Sequence, residues 1–182
     1  VWKPSPKTPL CAVAVQKICN DVLARNNYPA IFHLFIDNAE NKLSKKFVED
    51  KRVEKISFTG SSAVGRMVGA KVAERFGKCL LELSGNNAII VDESADLKIA
   101  IPSIVFGAVG TAGQRCTSTR RLIVHKSREK EVVDSVVKAY GQVRIGNPID
   151  KSTLMGPLVD EVAIKLYEDA IALAKSEGAE VL

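Results

Sequence analysis

Two spacings of apolar residues alternate along this chain. Ala12, Val15, Cys19, Val22 and Leu23 recur at helical steps and predict a helix with one buried side. Thr8-Pro9 supplies its start, a cap residue followed by proline at the first helical position, and Asn26-Asn27-Tyr28-Pro29 its end. Ile31 to Ile36 is instead a continuous apolar run rich in β-formers, the mark of a buried strand. A weak helix over about 39–48 and a strand over Val53 to Phe58 follow. The next helix carries Val64, Met67, Val68 and Val72 on one side and is expected to stop at Gly77. Strands are predicted at Cys79 to Leu83, Ala88 to Val91 and Arg121 to His125. Helices are predicted at about 95–110, where Pro102 should kink or break the run, at 128–140 with Val132, Val133, Val136 and Val137 inward, and at 161–176. Buried strands alternating with helices predict an α/β fold, a parallel sheet with crossover helices. The turn Ser84-Gly85-Asn86-Asn87 has the composition of a domain join.

Composition narrows the class without naming a function. The chain has 182 residues, 46% hydrophobic and 26% charged, an ordinary globular balance for one large domain or pieces of two. It starts at Val1 rather than methionine and ends at Leu182 directly after a helical segment, so it reads as a slice of a longer protein. Missing neighbours should leave sheet edges open and the slice unstable or inactive by itself. The net charge of +5 comes from scattered residues. The densest group, Lys42, Lys45, Lys46, Lys51 and Arg52, has little aromatic interleaving and reads as a solvated face, so no nucleic-acid partner is expected. No apolar run of about 18 residues is present, so no membrane-spanning helix is expected. Cysteines at 11, 19, 79 and 116 have neither zinc-site nor C-x-x-C spacing, and a reducing, cytoplasmic compartment is expected, or a mitochondrial one if a preceding segment carries a targeting signal. Cys11, Cys19 and Cys79 read as packing residues, and His33 and His125 as core or surface residues.

Three stretches carry candidate chemistry. In Gly110-Thr111-Ala112-Gly113-Gln114-Arg115-Cys116-Thr117 a cysteine sits among small residues, directly after an arginine. Close backbone approach and a nearby cation favour a thiolate nucleophile, and a small core residue in a crowded turn is the alternative. Thr59-Gly60-Ser61 leaves a strand and opens a helix, where free N–H groups suit a phosphate, or where Ser61 simply caps the helix. Glu82 ends an apolar strand. Buried there, it can serve as a general base near neutral pH; exposed, it is an ordinary strand end.

Taken in order, Ser57-Phe58-Thr59-Gly60-Ser61, Leu81-Glu82-Leu83-Ser84-Gly85-Asn86 and Gly113-Gln114-Arg115-Cys116-Thr117 resemble the NAD(P)-dependent aldehyde dehydrogenase superfamily. Val1-Trp2-Lys3-Pro4-Ser5, Gly146-Asn147-Pro148 and Gly156-Pro157-Leu158 extend the resemblance over nearly the whole chain. Asn86-Asn87-Ala88-Ile89-Ile90 and the stretch Ala108 to Thr117 look most like the antiquitin branch, which oxidises α-aminoadipic semialdehyde. The resemblance implies the second half of a Rossmann-like cofactor domain in residues 1–84 and the start of the catalytic domain in 85–182. It implies Cys116 as nucleophile, forming a thiohemiacetal and then a thioester, with the Cys116 backbone N–H helping to hold the oxyanion. Glu82 is implied as the general base for thioester hydrolysis. Lys3 matches the lysine on the adenosine ribose, Gly60 and Ser61 the pyrophosphate turn, and Val64 the adenine side. The Leu83 carbonyl would meet the nicotinamide amide, and Thr117 would face the substrate. NAD is the implied cofactor, with NADP not excluded, a small aldehyde the substrate, and a homo-oligomer, dimer or tetramer, the assembly.

The chain departs from the family pattern at named places. The family's oxyanion asparagine falls upstream of Val1, and the glutamate that bonds the nicotinamide ribose falls beyond Leu182. Pro6 stands where many members have an acid that shares the ribose with the lysine. Asp37 and Asn38 stand where glycine is usual near the adenine, and Ser84 replaces another glycine. These departures motivate a competing reading, a truncated, catalytically inactive paralogue that serves as a binding or structural protein. A cofactor-free cysteine hydrolase is the third reading, and it lacks a partner histidine.

Overall fold

A computed structural model describes residues 1–38 and 40–182 of the chain. They form two compact units, Val1–Leu83 and Ser84–Leu182. In each, two parallel strands are joined through a helix, the α/β plan expected from the alternating pattern.

In the first unit, helix α1 (Pro9–Arg25) begins at the proline, and only Ala12 of its predicted apolar side is fully buried. Helix α2 (Lys42–Glu49) starts inside the predicted 39–48 span, of which residue 39 lies outside the described residues. Strand β1 (Lys55–Thr59) pairs in parallel with β2 (Lys78–Glu82), and helix α3 (Ser62–Glu74) crosses between them. Ile56 of β1 packs on Val68 and Val72 of α3, with Phe47, Val48, Val53 and Phe58 around them. Val68 and Val72 are one helical turn apart, which is why both meet the same strand.

Two sequence expectations fail here for one physical reason. The run Ile31 to Ile36 was expected as a buried strand. It makes a single parallel bridge, Trp2 with Leu34, held by Trp2 N–H donating to the His33 carbonyl at 2.7 Å and Phe35 N–H donating to the Trp2 carbonyl at 3.1 Å. Ile31 and Phe32 stay exposed. Strand β2 was likewise expected to be buried, and all five of its residues are exposed. A buried parallel strand needs cover on both faces, and neither Ile31 and Phe32 nor the residues of β2 have it.

The end of α3 also differs from expectation. The left-handed residue is Phe76, at φ +58, not Gly77. Phe76 N–H donates to the Ala73 carbonyl at 2.9 Å and Gly77 N–H to the Val72 carbonyl at 3.0 Å. These two bonds make a Schellman end with a phenylalanine where glycine is usual.

In the second unit, strand β3 (Asn87–Val91) pairs in parallel with β4 (Thr119–Val124), and helix α4 (Leu97–Val109) lies between them in sequence. Asp96 caps α4 through the Lys98 N–H at 2.9 Å, and Pro102 sits inside the helix without ending it. Val91 of β3, Ile104 of α4 and Val132 of helix α5 (Glu129–Tyr140) form the core. Of the valines predicted inward on α5, Val132 is fully buried and Val137 is exposed. Helix α6 (Glu161–Ser176) is capped by Asp160 through the Ala163 N–H at 2.9 Å and buries no residue fully.

The strand register contains one irregularity. Asn87 stands opposite Thr119, and Ala88 stands opposite Arg121, so Arg120 has no partner across the ladder. A residue left over in this way is the extra residue of a bulge, which turns its side chain out of the strand's alternation.

The end of α3 yields a stability prediction. Phe76 is 98% exposed, so its ring contributes no packing to offset its left-handed backbone. Phe76→Gly should stabilise the fold by about 1 kcal/mol, read as a higher urea midpoint, whereas Gly77→Ala should give no such gain.

Candidate active site

The first unit gathers the residues suited to a dinucleotide. A cavity of about 330 Å³ is lined by Lys3, Ser5, Thr8, Ser57 and Thr59, together with Trp2, Pro4 and the start of α1. Its lining carries one cation and four hydroxyls and no carboxylate. Gly60 and Ser61 follow Thr59 directly. Gly60 N–H donates to the Glu82 carbonyl at 3.0 Å, fastening the turn to the end of β2. A Cβ at Gly60 would lie 2.6 Å from Phe58 Cζ, so a side chain there would have to displace the Phe58 ring. Ser61 caps α3, its hydroxyl accepting from Val64 N–H at 3.3 Å. The two readings of this turn therefore coexist: Ser61 uses one N–H, and the first N–H groups of α3 still face outward from a helix start. Gly65 lies so close to the Leu83 side chain that a Cβ would collide with it. Val64 is exposed beside this turn. This donor set fits the ribose and phosphates of a dinucleotide.

Glu82 stands opposite Thr59 in the register. It is exposed, so the burial that would tune it as a base is not present among the described residues.

Asp37 occupies a place where the sequence departs from the family. Asp37 is 7% exposed, and its carboxylate accepts from Asn38 N–H at 2.9 Å, Ser44 N–H at 2.7 Å and the Ser44 hydroxyl at 2.6 Å. It thus satisfies a free N–H in the first turn of α2. The Ser44 hydroxyl, with the backbone N–H groups of Ser44, Asn38 and Leu43, holds the Asp37 carboxyl below its ordinary value against the opposing effect of burial. The side chain is therefore engaged with α2, and neither Asp37 nor Asn38 lines the cavity.

The second unit holds the cysteine. Thr111 and Ala112, both at φ +52, and Gly113, at φ +70, take left-handed backbone in succession. For threonine and alanine this conformation is strained, and such strain concentrates at functional sites. Gln114 secures the loop, its side chain donating to the Thr111 carbonyl at 3.1 Å and accepting from Val159 N–H at 2.9 Å. Cys116 and Thr117 are both exposed on the turn that follows. The turn closes through Ser118 N–H donating to the Arg115 carbonyl at 3.1 Å, and the Ser118 hydroxyl, in a residue 2% exposed, accepts from Arg115 N–H at 3.1 Å.

Arg115 does not supply the cation that its place before Cys116 suggested. Its guanidinium stacks over Phe106, 5.2 Å from the ring centroid, and donates to the Phe106 carbonyl at 3.3 Å. It fills the space beside Gly110, where any Cβ would collide with it. Adjacent residues on a turn point in different directions, so proximity in sequence did not become proximity of side chains.

Sequence reasoning missed Asn87, Ser118 and Arg120. Asn87 Nδ2 donates to the Cys116 carbonyl at 2.6 Å and the Ser118 carbonyl at 3.0 Å. Arg120 donates through Nε to the Gly85 carbonyl at 3.0 Å and through Nη2 to the Arg115 carbonyl at 3.1 Å. An amide opening an apolar strand was the only available signal. A larger cavity of about 500 Å³ lies in this unit along β4 and α5, lined mostly by valines and carrying no nucleophile. Among the described residues no group of three metal-ligating side chains is found, and no helix is long and apolar enough to cross a membrane.

The model of the aldehyde dehydrogenase family matches residues 1–182. The chain belongs to the aldehyde dehydrogenase family. Its full length is 50% identical to 34% of a putative aldehyde dehydrogenase family 7 member A1 homolog from Caenorhabditis elegans. It is 49% identical to 34% of the alpha-aminoadipic semialdehyde dehydrogenase of Bos taurus, again over the full chain. Among solved structures, glyceraldehyde-3-phosphate dehydrogenase GapN from Methanocaldococcus jannaschii, complexed with NADP, superposes with a TM-score of 0.90 at 33% identity. That match covers 97% of this chain and 38% of the other. The chain thus spans about a third of the length of these family members.

Asp37 generates a pH prediction. A carboxyl whose folded value is depressed contributes stability above its unfolded value and loses it as pH falls through the folded one. Asp37→Asn should therefore destabilise the protein at neutral pH. The gap to the unsubstituted protein should narrow as pH drops below about 3.9, the ordinary aspartate value. Urea midpoints measured across that range check this.

Proposed function

We propose that the protein oxidises a small aldehyde to its carboxylic acid with NAD or NADP, using Cys116 as nucleophile and Glu82 as general base. The observation that carries this reading is the family match across the whole chain, supported by an exposed cysteine, Cys116, on the turn that follows a strained left-handed run. The relatives near half identity point to the antiquitin branch, and α-aminoadipic semialdehyde is the substrate we propose.

The Cys116 thiolate attacks the aldehyde carbon, and the Cys116 backbone N–H donates to the oxyanion that forms. A bound dinucleotide would supply the hydride acceptor needed for oxidation at the substrate carbon. Lys3 holds the adenosine ribose, and Gly60 and Ser61 at the start of α3 meet the pyrophosphate. Val64 borders the adenine, and the Leu83 carbonyl orients the nicotinamide amide. Thr117 faces the substrate. Glu82 takes a proton from the water that attacks the thioester carbon, releasing the acid and returning the thiol. Residues 1–84 then act as cofactor-domain sequence and residues 85–182 as catalytic-domain sequence. A homo-oligomer in the cytoplasm, or in mitochondria if a targeting segment precedes the chain, belongs to the same reading.

In the protein with its natural flanking sequence, Cys116→Ala should reduce NADH or NADPH formation with the aldehyde to background. Glu82→Gln should leave a first turnover and slow the steady state by about 10²–10⁴-fold, seen as a burst followed by a stall. Undiminished turnover by Cys116→Ala would overturn the assignment. Saturable dinucleotide binding without aldehyde oxidation in the unsubstituted protein would favour the non-catalytic paralogue.

A further inference from the structure

Resting on the reading of Cys116 as nucleophile, we propose that Arg120 and Asn87 are positioning residues that aim the Cys116 backbone N–H at the developing oxyanion. The Arg115 carbonyl and the Cys116 N–H belong to one planar trans unit and point in opposite directions. Whatever fixes that carbonyl therefore fixes the N–H. Two donors hold the Arg115 carbonyl, Ser118 N–H and Arg120 Nη2, each at 3.1 Å. The next peptide plane is held as well, because Asn87 Nδ2 donates to the Cys116 carbonyl at 2.6 Å. The Cys116 Cα thus sits between two fixed planes, and its φ and ψ have little freedom.

The bulge explains how Arg120 reaches this place. It is the residue left without a partner where the β3–β4 register shifts, and its fork spans the Gly85 and Arg115 carbonyls. Regular alternation would give Arg120 a partner opposite it in the ladder. Gly85 completes the fit, since a Cβ there would lie 3.0 Å from Asn87 Oδ1 and 3.4 Å from the Cys116 carbonyl oxygen. The buried Ser118 hydroxyl, accepting from Arg115 N–H, keeps the turn closed from the other side.

The test separates aiming from general loosening by using two reactions of the same thiol. Acylation by p-nitrophenyl acetate builds a tetrahedral oxyanion and needs no cofactor, whereas alkylation by iodoacetamide displaces iodide and builds none. Arg120→Ala, Arg120→Lys, Asn87→Ala and Asn87→Asp are made in the protein with its natural flanking sequence. The alanine variants and Asn87→Asp should slow the p-nitrophenolate burst by about 10- to 100-fold while alkylation stays within about threefold. Arg120→Lys, which can keep one donor on a carbonyl, should recover part of the loss, and dinucleotide affinity should not change. An unchanged burst, burst and alkylation rates falling in parallel, or no burst from the unsubstituted protein would each overturn the proposal. If the burst follows this pattern while no aldehyde is oxidised, the positioning role stands and the oxidative function falls.

Discussion

A backbone carbonyl that cannot find a donor costs free energy, and a loop without a regular ladder must find its donors elsewhere. The loop around Cys116 depends on this constraint. Its carbonyls at Arg115, Cys116 and Ser118 are met by Arg120, Asn87 and the turn's own N–H. Arg121 adds a bond to the Asn86 carbonyl at 2.7 Å, so the turn that opens β3 is tied to the same strand end. A strained left-handed run at Thr111 and Ala112 can persist only when its surroundings over-determine it. The bonds from Gln114 and the stacking of Arg115 on Phe106 provide that restraint.

The first unit solves a different problem with the same means. Its turn at Gly60 needs backbone approach without a side chain, and Phe58 occupies the space a Cβ would take. The bond from Gly60 N–H to the Glu82 carbonyl joins the ends of β1 and β2, so the phosphate-suited turn and the candidate base share one strand pair. The hydrophobic contact of Ile56 with Val68 and Val72 sets α3 on that pair. Burial supplies the stability, and the turn's hydrogen bonds supply the direction.

Much of this was legible in residue types. The proline at the start of α1 and the serine at the start of α3 mark helix starts because the chemistry of a helix start is local. Parallel pairing followed from strand–helix alternation. Burial was not legible in the same way. Ile31, Phe32, Leu80 and Leu81 are as apolar as any core residue and remain exposed, because burial depends on what lies across the sheet. The end of α3 was misplaced by one residue, since a glycine attracts the left-handed assignment that Phe76 in fact takes.

For the candidate site, the sequence alone named Gly60, Ser61, Glu82 and Cys116 as candidates from residue type and local setting, and Lys3 through the resemblance of its contiguous motif words. Only the tertiary structure decided which neighbours act on them. It turned Arg115 away from the thiol onto Phe106 and placed Asp37 on α2. It also brought Arg120 through a bulge onto the carbonyl preceding Cys116. Side-chain direction depends on backbone torsion and strand register, and neither is written in a residue's type.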